Sequence, residues 1–208
     1  MLTVLGRETS INVRKVLWCV AELGIPIIRE DWGLPLRDPR EARLLALNPN
    51  AQVPVIVEDD GFTLWESNVI LRYLCQRQSD TTLLPSDLRA RTRVEQWLQW
   101  QATELNPSWG YAVRALLRGD PGHDDEEQIA QSLGAWTAKM EILEGRLATT
   151  RAYAGGATFS IADIAIGLSV RRWRAIPRSL PDLPHVARYF ARLEKRPAAV
   201  RYLGADFF

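Results

Sequence analysis

Residues 50–74 read NAQVPVIVEDDGFTLWESNVILRYL. Val55 to Glu58 and Phe62 to Trp65 are β-branched and aromatic runs flanking the turn signal EDDG, the pattern of a hairpin. Ser67 then opens a helix that turns Val69, Ile70, Tyr73 and Leu74 to one side. Pro54 stands just before Val55, at the first position of its strand, where a missing N–H costs no ladder bond. The Val53–Pro54 bond is expected to be cis, as X–Pro bonds in tight, specific turns often are. That would aim the N–H and C=O of Val53 away from the sheet and into a cleft.

Toward the N-terminus, Leu2 to Leu5 is a short apolar strand and GRETS a polar turn. The following helix has Val13, Val16, Leu17 and Val20 on one face and stops at Gly24. Ile25 to Glu30 is a second strand. Strand, helix and strand within about thirty residues make a βαβ unit with a parallel pair. A loop from Gly33 to Pro39 and a short helix ending at Asn48-Pro49 lead back to the hairpin. The order β-α-β then β-β-α is that of a thioredoxin-like domain, over residues 1–77.

The segment QSDTTLLPS, residues 78–86, reads as a polar linker. Beyond it almost nothing resembles a strand, so residues 87–208 are expected to form an all-helical bundle domain. Its first helix, from about Asp87, should kink or break at Pro107. After the turn GDPGHD a helix carries Ile129, Leu133, Trp136, Met140, Leu143 and Leu147 at alternating spacings of four and three. Ser160 and Asp163 in FSIAD form a capping box for the next. The last long helix shows Val186, Tyr189, Phe190 and Leu193 and should end before Pro197.

With 26 basic and 25 acidic residues and a net charge of +1, the chain has no electrostatic footprint for nucleic acid or an anionic membrane. No apolar run approaches membrane-spanning length, and the N-terminus lacks the apolar core of a secretory signal. A cytoplasmic protein is expected. Cys19 and Cys75 read as reduced structural thiols. His123 and His185 have no partner pattern, and no constellation suggests a metal.

In a βαβ unit the loop after the first strand meets a helix N-terminus, which favours an anion. Here it carries TSIN, with Thr9, Ser10 and Asn12 as side-chain donors. Redox proteins of thioredoxin type place CxxC at this point, and the chain has none. Hydroxyl and amide donors there suit a thiolate carried by a ligand, although Ser10 suits equally the plain role of N-cap. At WESN, Ser67 as N-cap would leave N–H groups for a carboxylate while Glu66 holds an ammonium. Glu66 reads equally well as a surface residue.

In combination, TSINVRKVLW, LNPNAQVPVIVEDDG and FTLWESNVILRYL resemble the glutathione transferase family. The resemblance continues through VEQWLQWQATELNPSW, the FSIADI cap and the RLEKRP ending, and so covers essentially the whole chain. The S-x-N form of the first motif is most similar to bacterial and plant-type members that use Ser or Thr.

This resemblance implies an enzyme that takes glutathione as co-substrate and uses no metal. Ser10 and Asn12 would hold the glutathione sulfur as thiolate. Thr9, Gln52, Val53, Pro54, Glu66 and Ser67 would bind the tripeptide, with Gln52, Arg37 or Arg40 as candidates for its glycyl carboxylate. A small, largely apolar electrophile would sit between the domains near Trp109, Tyr111, Arg114 and Trp173. A homodimer is implied, through the helices that begin near Ser67 and Asp87. Two other readings stay open: glutathione-dependent reduction of disulfides or peroxides, and a non-catalytic ligand-binding or regulatory protein on the same fold.

Overall fold

A computed structural model describes residues 1–204; positions 205–208, the end of the expected helical domain, lie outside the described residues. The strands β1 (Leu2–Leu5), β2 (Ile27–Glu30), β3 (Val55–Val57) and β4 (Thr63–Trp65) form one mixed sheet in the order β2-β1-β3-β4. β1 runs parallel to β2, with Leu2 opposite Ile27, and antiparallel to β3, with Leu5 opposite Val55. β3 and β4 make the hairpin, with Val55 opposite Trp65. Helix α1 (Ile11–Glu22) is the crossover, α2 (Ala42–Leu47) precedes β3, and α3 (Ser67–Arg77) follows β4. This is the thioredoxin-like order expected.

Gly24 ends α1 with φ +64°, and the Ile25 N–H donates to the Val20 carbonyl at 2.9 Å. The buried Ile25 thus belongs to the helix stop. That is why β2 starts at Ile27 rather than at the first apolar residue.

In the second half α4 (Leu88–Trp100) runs into a π-helical turn at Gln101–Leu105. Short helices α5 (Asn106–Ser108) and α6 (Gly110–Val113) follow, then a second π-helical turn at Arg114–Arg118. Pro107 lies in the first turn of α5, where its missing N–H is not needed. The helix is therefore interrupted by the wide turn before the proline and by Trp109 after it. Helices α7 (Glu126–Thr150), α8 (Ile161–Arg174), α9 (Pro184–Glu194) and α10 (Pro197–Leu203) complete the described chain. As expected, the last long helix ends before Pro197, and that proline opens a further short helix.

Helix α1 is covered by α3 on one side and by α8 and α10 on the others. One hydrophobic cluster therefore runs from Val4 through Trp18 to Leu193, across both halves. Gly167 permits the close crossing of α8, since a Cβ there would stand 2.6 Å from Leu193 Cδ1. Cys19 and Cys75, distant in sequence, lie within hydrogen-bond reach of each other in the α1–α3 contact. That hydrogen bond and, after it, the burial of both thiols raise the Cys19 thiol well above its usual range. A smaller cluster of Leu5, Trp32, Leu44 and Val55 seats the loop before α2.

Candidate active site

Three corners of the first half converge. At the β1–α1 corner, the N–H of Gly6 donates to the Glu30 carbonyl and that of Arg7 to the Trp32 carbonyl, each at 2.8 Å. Gly6 has φ +153°, and a Cβ there would stand 2.4 Å from Val13 Cγ2, so only glycine lets the chain cross α1 this closely. Ser10 holds the cap position in an extended conformation, yet its side chain makes no capping hydrogen bond. The half-buried hydroxyl is thus not spent on the helix. Thr9 is exposed, and its hydroxyl accepts from Arg7 Nη1 at 3.0 Å.

At the second corner the Val53–Pro54 peptide is cis. The ladder to β1 starts only at Val55. Among the described residues, neither backbone group of Val53 has a hydrogen-bond partner. The loop is organised by Asn48, whose Nδ2 donates to the Gln52 carbonyl at 2.9 Å. Its Oδ1 accepts from the backbone N–H and side-chain Nδ2 of Asn50, at 3.0 and 3.1 Å.

The third corner corrects the sequence reading. Ser67 is not the N-cap of α3 but its first residue; Glu66 is the cap, with φ +70° and ψ 104°. A non-glycine residue in such a conformation costs about 1–3 kcal/mol and persists where its surroundings over-determine it. The Glu66 carbonyl accepts from the N–H groups of Val69 and Ile70, which leaves those of Ser67 and Asn68 outside the helical ladder. The Ser67 hydroxyl donates to Asn12 Oδ1 at 3.4 Å, linking this corner to α1.

Asn12, Gln52, Val53, Pro54, Glu66 and Ser67 line one small polar hollow together with Asn48 and Asn50. The sequence reading missed both asparagines. Their signal was NPN, turn residues whose side chains bond their own backbone. Ser10 and Thr9 lie beside this lining rather than in it. Arg37 is engaged elsewhere, paired with Glu41 at 2.7 Å and stacked 3.6 Å over the Trp32 ring. Arg40 is exposed and outside the hollow.

The four residues expected around an electrophile are placed differently. Trp109 and Trp173 both stand edge-on to the fully buried Trp136, with ring centroids 5.1 Å apart in each pair. This column is core, and Trp109 and Trp173 keep only 6% and 3% of their surface exposed. The Tyr111 hydroxyl accepts from the Asp125 N–H, and Arg114 pairs with Asp120, so both serve the turn between α6 and α7. Arginines come near α1 instead. Burial lowers the pKa of Arg7 and of Arg172, the latter to about 9, and the nearby Arg118 acts in the same direction on each. Arg172 lies over the Trp109 ring at 5.5 Å. Among the described residues no group of three or more His, Cys, Asp or Glu can hold a metal ion.

Comparison with known proteins matches this geometry to a family. Family models for the glutathione S-transferase N-terminal and C-terminal domains match residues 9–77 and 126–192. The chain is 30% identical to glutathione S-transferase GstB of Escherichia coli K12 over 199 residues, 95% of each chain. It superposes with a TM-score of 0.92 on a theta class glutathione S-transferase from Xanthomonas axonopodis pv. citri with glutathione bound. That pair is 30% identical, over 100% of this chain and 99% of the other. A glutathione S-transferase from Pseudomonas fluorescens gives 0.85 at 27% identity, covering 95% and 96%. The chain belongs to the glutathione S-transferase family.

Proposed function

We propose that this protein is a glutathione transferase in which Ser10 and Asn12 stabilise the glutathione thiolate beside the hollow formed by the loop at Val53 and the corner at Glu66. The observation that carries this reading is the convergence of unspent groups at one place. These are the backbone of Val53, the first N–H groups of α3, the Glu66 carboxylate and the Ser10 hydroxyl. Val53 would pair with the extended cysteinyl backbone. Glu66 would take the γ-glutamyl ammonium, and Ser67 with its N–H the neighbouring carboxylate. Gln52 and Asn50, in the same lining, would donate to the glycyl end.

The sulfur would then lie at the N-terminus of α1. A free thiol has a pKa of about 8.5, and helix N-termini, donors and nearby cations lower it to about 7 or below. Ser10 and Asn12 supply the donors, and Arg7 adds positive charge two residues from Thr9. The thiolate attacks an electrophilic carbon, the new C–S bond forms, and the leaving group departs with its electron pair. Residues 1–77 would form the glutathione domain, 78–86 the linker and 87–208 the helical domain. Among the described residues no helix is long and apolar enough to cross a membrane, and we place the protein in the cytoplasm.

Calorimetric titration with glutathione, followed by turnover of an activated aryl halide and of a model disulfide, tests this reading. Binding with measurable conjugation is expected. Absence of glutathione binding would overturn it in favour of a non-enzymatic role. Disulfide turnover with negligible conjugation would redirect the same thiolate to sulfur.

A homodimer through α3 and α4 is part of the proposal. Val69 on α3 is 42% exposed and Leu88 on α4 is 75% exposed, and Glu95 on α4 pairs with Arg72 on α3 and Arg91 on α4. Sedimentation equilibrium is expected to give twice the mass of the chain, and a single-chain mass would exclude this contact.

A further inference from the structure

Lys15 lies on α1, one turn beyond Asn12, and only 1% of its surface is exposed. Its ammonium donates to Asn68 Oδ1 at 3.2 Å and to Gln101 Oε1 at 2.9 Å. Both amides are fixed in turn: Asn68 Nδ2 donates to the Leu98 carbonyl, and Gln101 Nε2 to Asn106 Oδ1 and Ser169 Oγ. One buried charge thereby ties the first turn of α3, where the glutathione corner lies, to the π-helical turn of the second half. Both acceptors are neutral. Among the described residues Lys15 has no carboxylate partner within ion-pair distance.

We propose that Lys15 is a positioning residue for glutathione, holding the Glu66–Asn68 corner in place and favouring, through its buried charge, a ligand of net negative charge. A buried ammonium served only by neutral amides is poorly compensated for lost hydration. Burial accordingly holds its pKa down to about 7; Arg172 on α8 acts in the same direction, and Glu66 acts against it. Other charged groups on the surrounding elements are engaged elsewhere: Arg72 near Glu95, Glu104 with Lys139, Arg201 with Glu8, and Glu22 with Arg196. His123 and His185 sit against Tyr111 and Arg188, outside the hollow.

The inference rests on the glutathione reading above. Glutathione carries two carboxylates and one ammonium, so its arrival stabilises the protonated lysine and raises its pKa. Linkage is reciprocal: affinity is highest where Lys15 is already protonated, and it falls as pH rises through about 7.

The test uses S-methylglutathione, which has no thiol to titrate, in calorimetric titrations from about pH 6 to about pH 8.5. The wild-type chain is expected to lose about fivefold to tenfold in affinity across that range, with proton uptake on binding near neutral pH. Lys15→Arg keeps its charge throughout, so its affinity is expected to stay flat. Lys15→Met is expected to bind about tenfold more weakly at the acidic end, also without a pH slope. In turnover, Lys15→Met raises KM for glutathione by more than it lowers kcat. A flat wild-type profile, or a Lys15→Arg slope equal to that of wild type, overturns the assignment, and neither result depends on Lys15→Met folding. If wild type binds no S-methylglutathione at any pH, the glutathione reading itself fails.

Discussion

Ser10→Ala is expected to lower kcat/KM for conjugation by about 100-fold, equivalent to about 2.7 kcal/mol of transition-state stabilisation. The size follows from the chemistry: a hydroxyl donating to a charged acceptor contributes about 1.5–3 kcal/mol, and removing one preorganised donor from a developing anion typically costs this much. The lost stabilisation is specific to the thiolate, so the apparent pKa of bound glutathione should rise by about two units. Ultraviolet absorbance of the bound thiolate against pH measures that shift directly. The fold should tolerate the change well, because the Ser10 side chain makes no capping bond to α1. An unshifted thiol pKa together with unchanged turnover would remove Ser10 from its role and leave Asn12, which shares the hollow with Ser67.

Asp163→Ala is expected to be the most damaging single change to stability, costing about 3–5 kcal/mol. Its carboxylate is fully buried at the start of α8. Oδ1 accepts from the Ala154 N–H at 2.8 Å and the Tyr189 hydroxyl at 3.1 Å. Oδ2 accepts from the N–H and hydroxyl of Ser160, at 2.9 and 2.8 Å. Burial raises its pKa to about 6 while these four donors act the other way, so the ionised form serves them at neutral pH. Truncation takes the carboxylate from all four donors, leaving Tyr189 only the Asp163 backbone carbonyl at 3.4 Å, and removes the Asp163 half of the capping box. The loss also reaches α9 through Tyr189 and the loop after α7 through Ala154. Against a total of about 5–15 kcal/mol this is a large share. Urea unfolding followed by circular dichroism should show it as a much lower midpoint. Asp163→Asn, which keeps the shape and one acceptor, should lose less. Equal midpoints for Asp163→Ala and wild type would dismiss the network as a determinant of stability.

Much of the architecture is legible in the chain itself. Local spacing marks an amphipathic α1 and the hairpin after Pro54, and Gly24 marks the end of the first helix. The β-α-β, β-β-α order follows from these, and it puts TSIN at a helix N-terminus. The Ser160–Asp163 box is equally local, being one turn long. Such features depend on neighbours within a few residues, and sequence patterns report those directly.

What only the tertiary structure decided involves which surfaces are covered and which groups are already in use. Arg37 looked available to a carboxylate until Glu41 and Trp32 were found to hold it. Trp109 after the kink and Trp173 on the later helix suited a pocket between the domains, but Trp136 on α7 meets both edge-on and makes them core. Asn48 and Asn50 became site residues only when the loop folded back on itself. Lys15 is the clearest case. The apolar face read from periodicity, Val13, Val16, Leu17 and Val20, does not include Arg14 and Lys15, yet both are buried. A helix's own pattern shows the side it offers to its first neighbour. That α3, α8 and α10 close over the rest of α1 is a long-range fact, and it turns a surface lysine into a buried charge beside the active site.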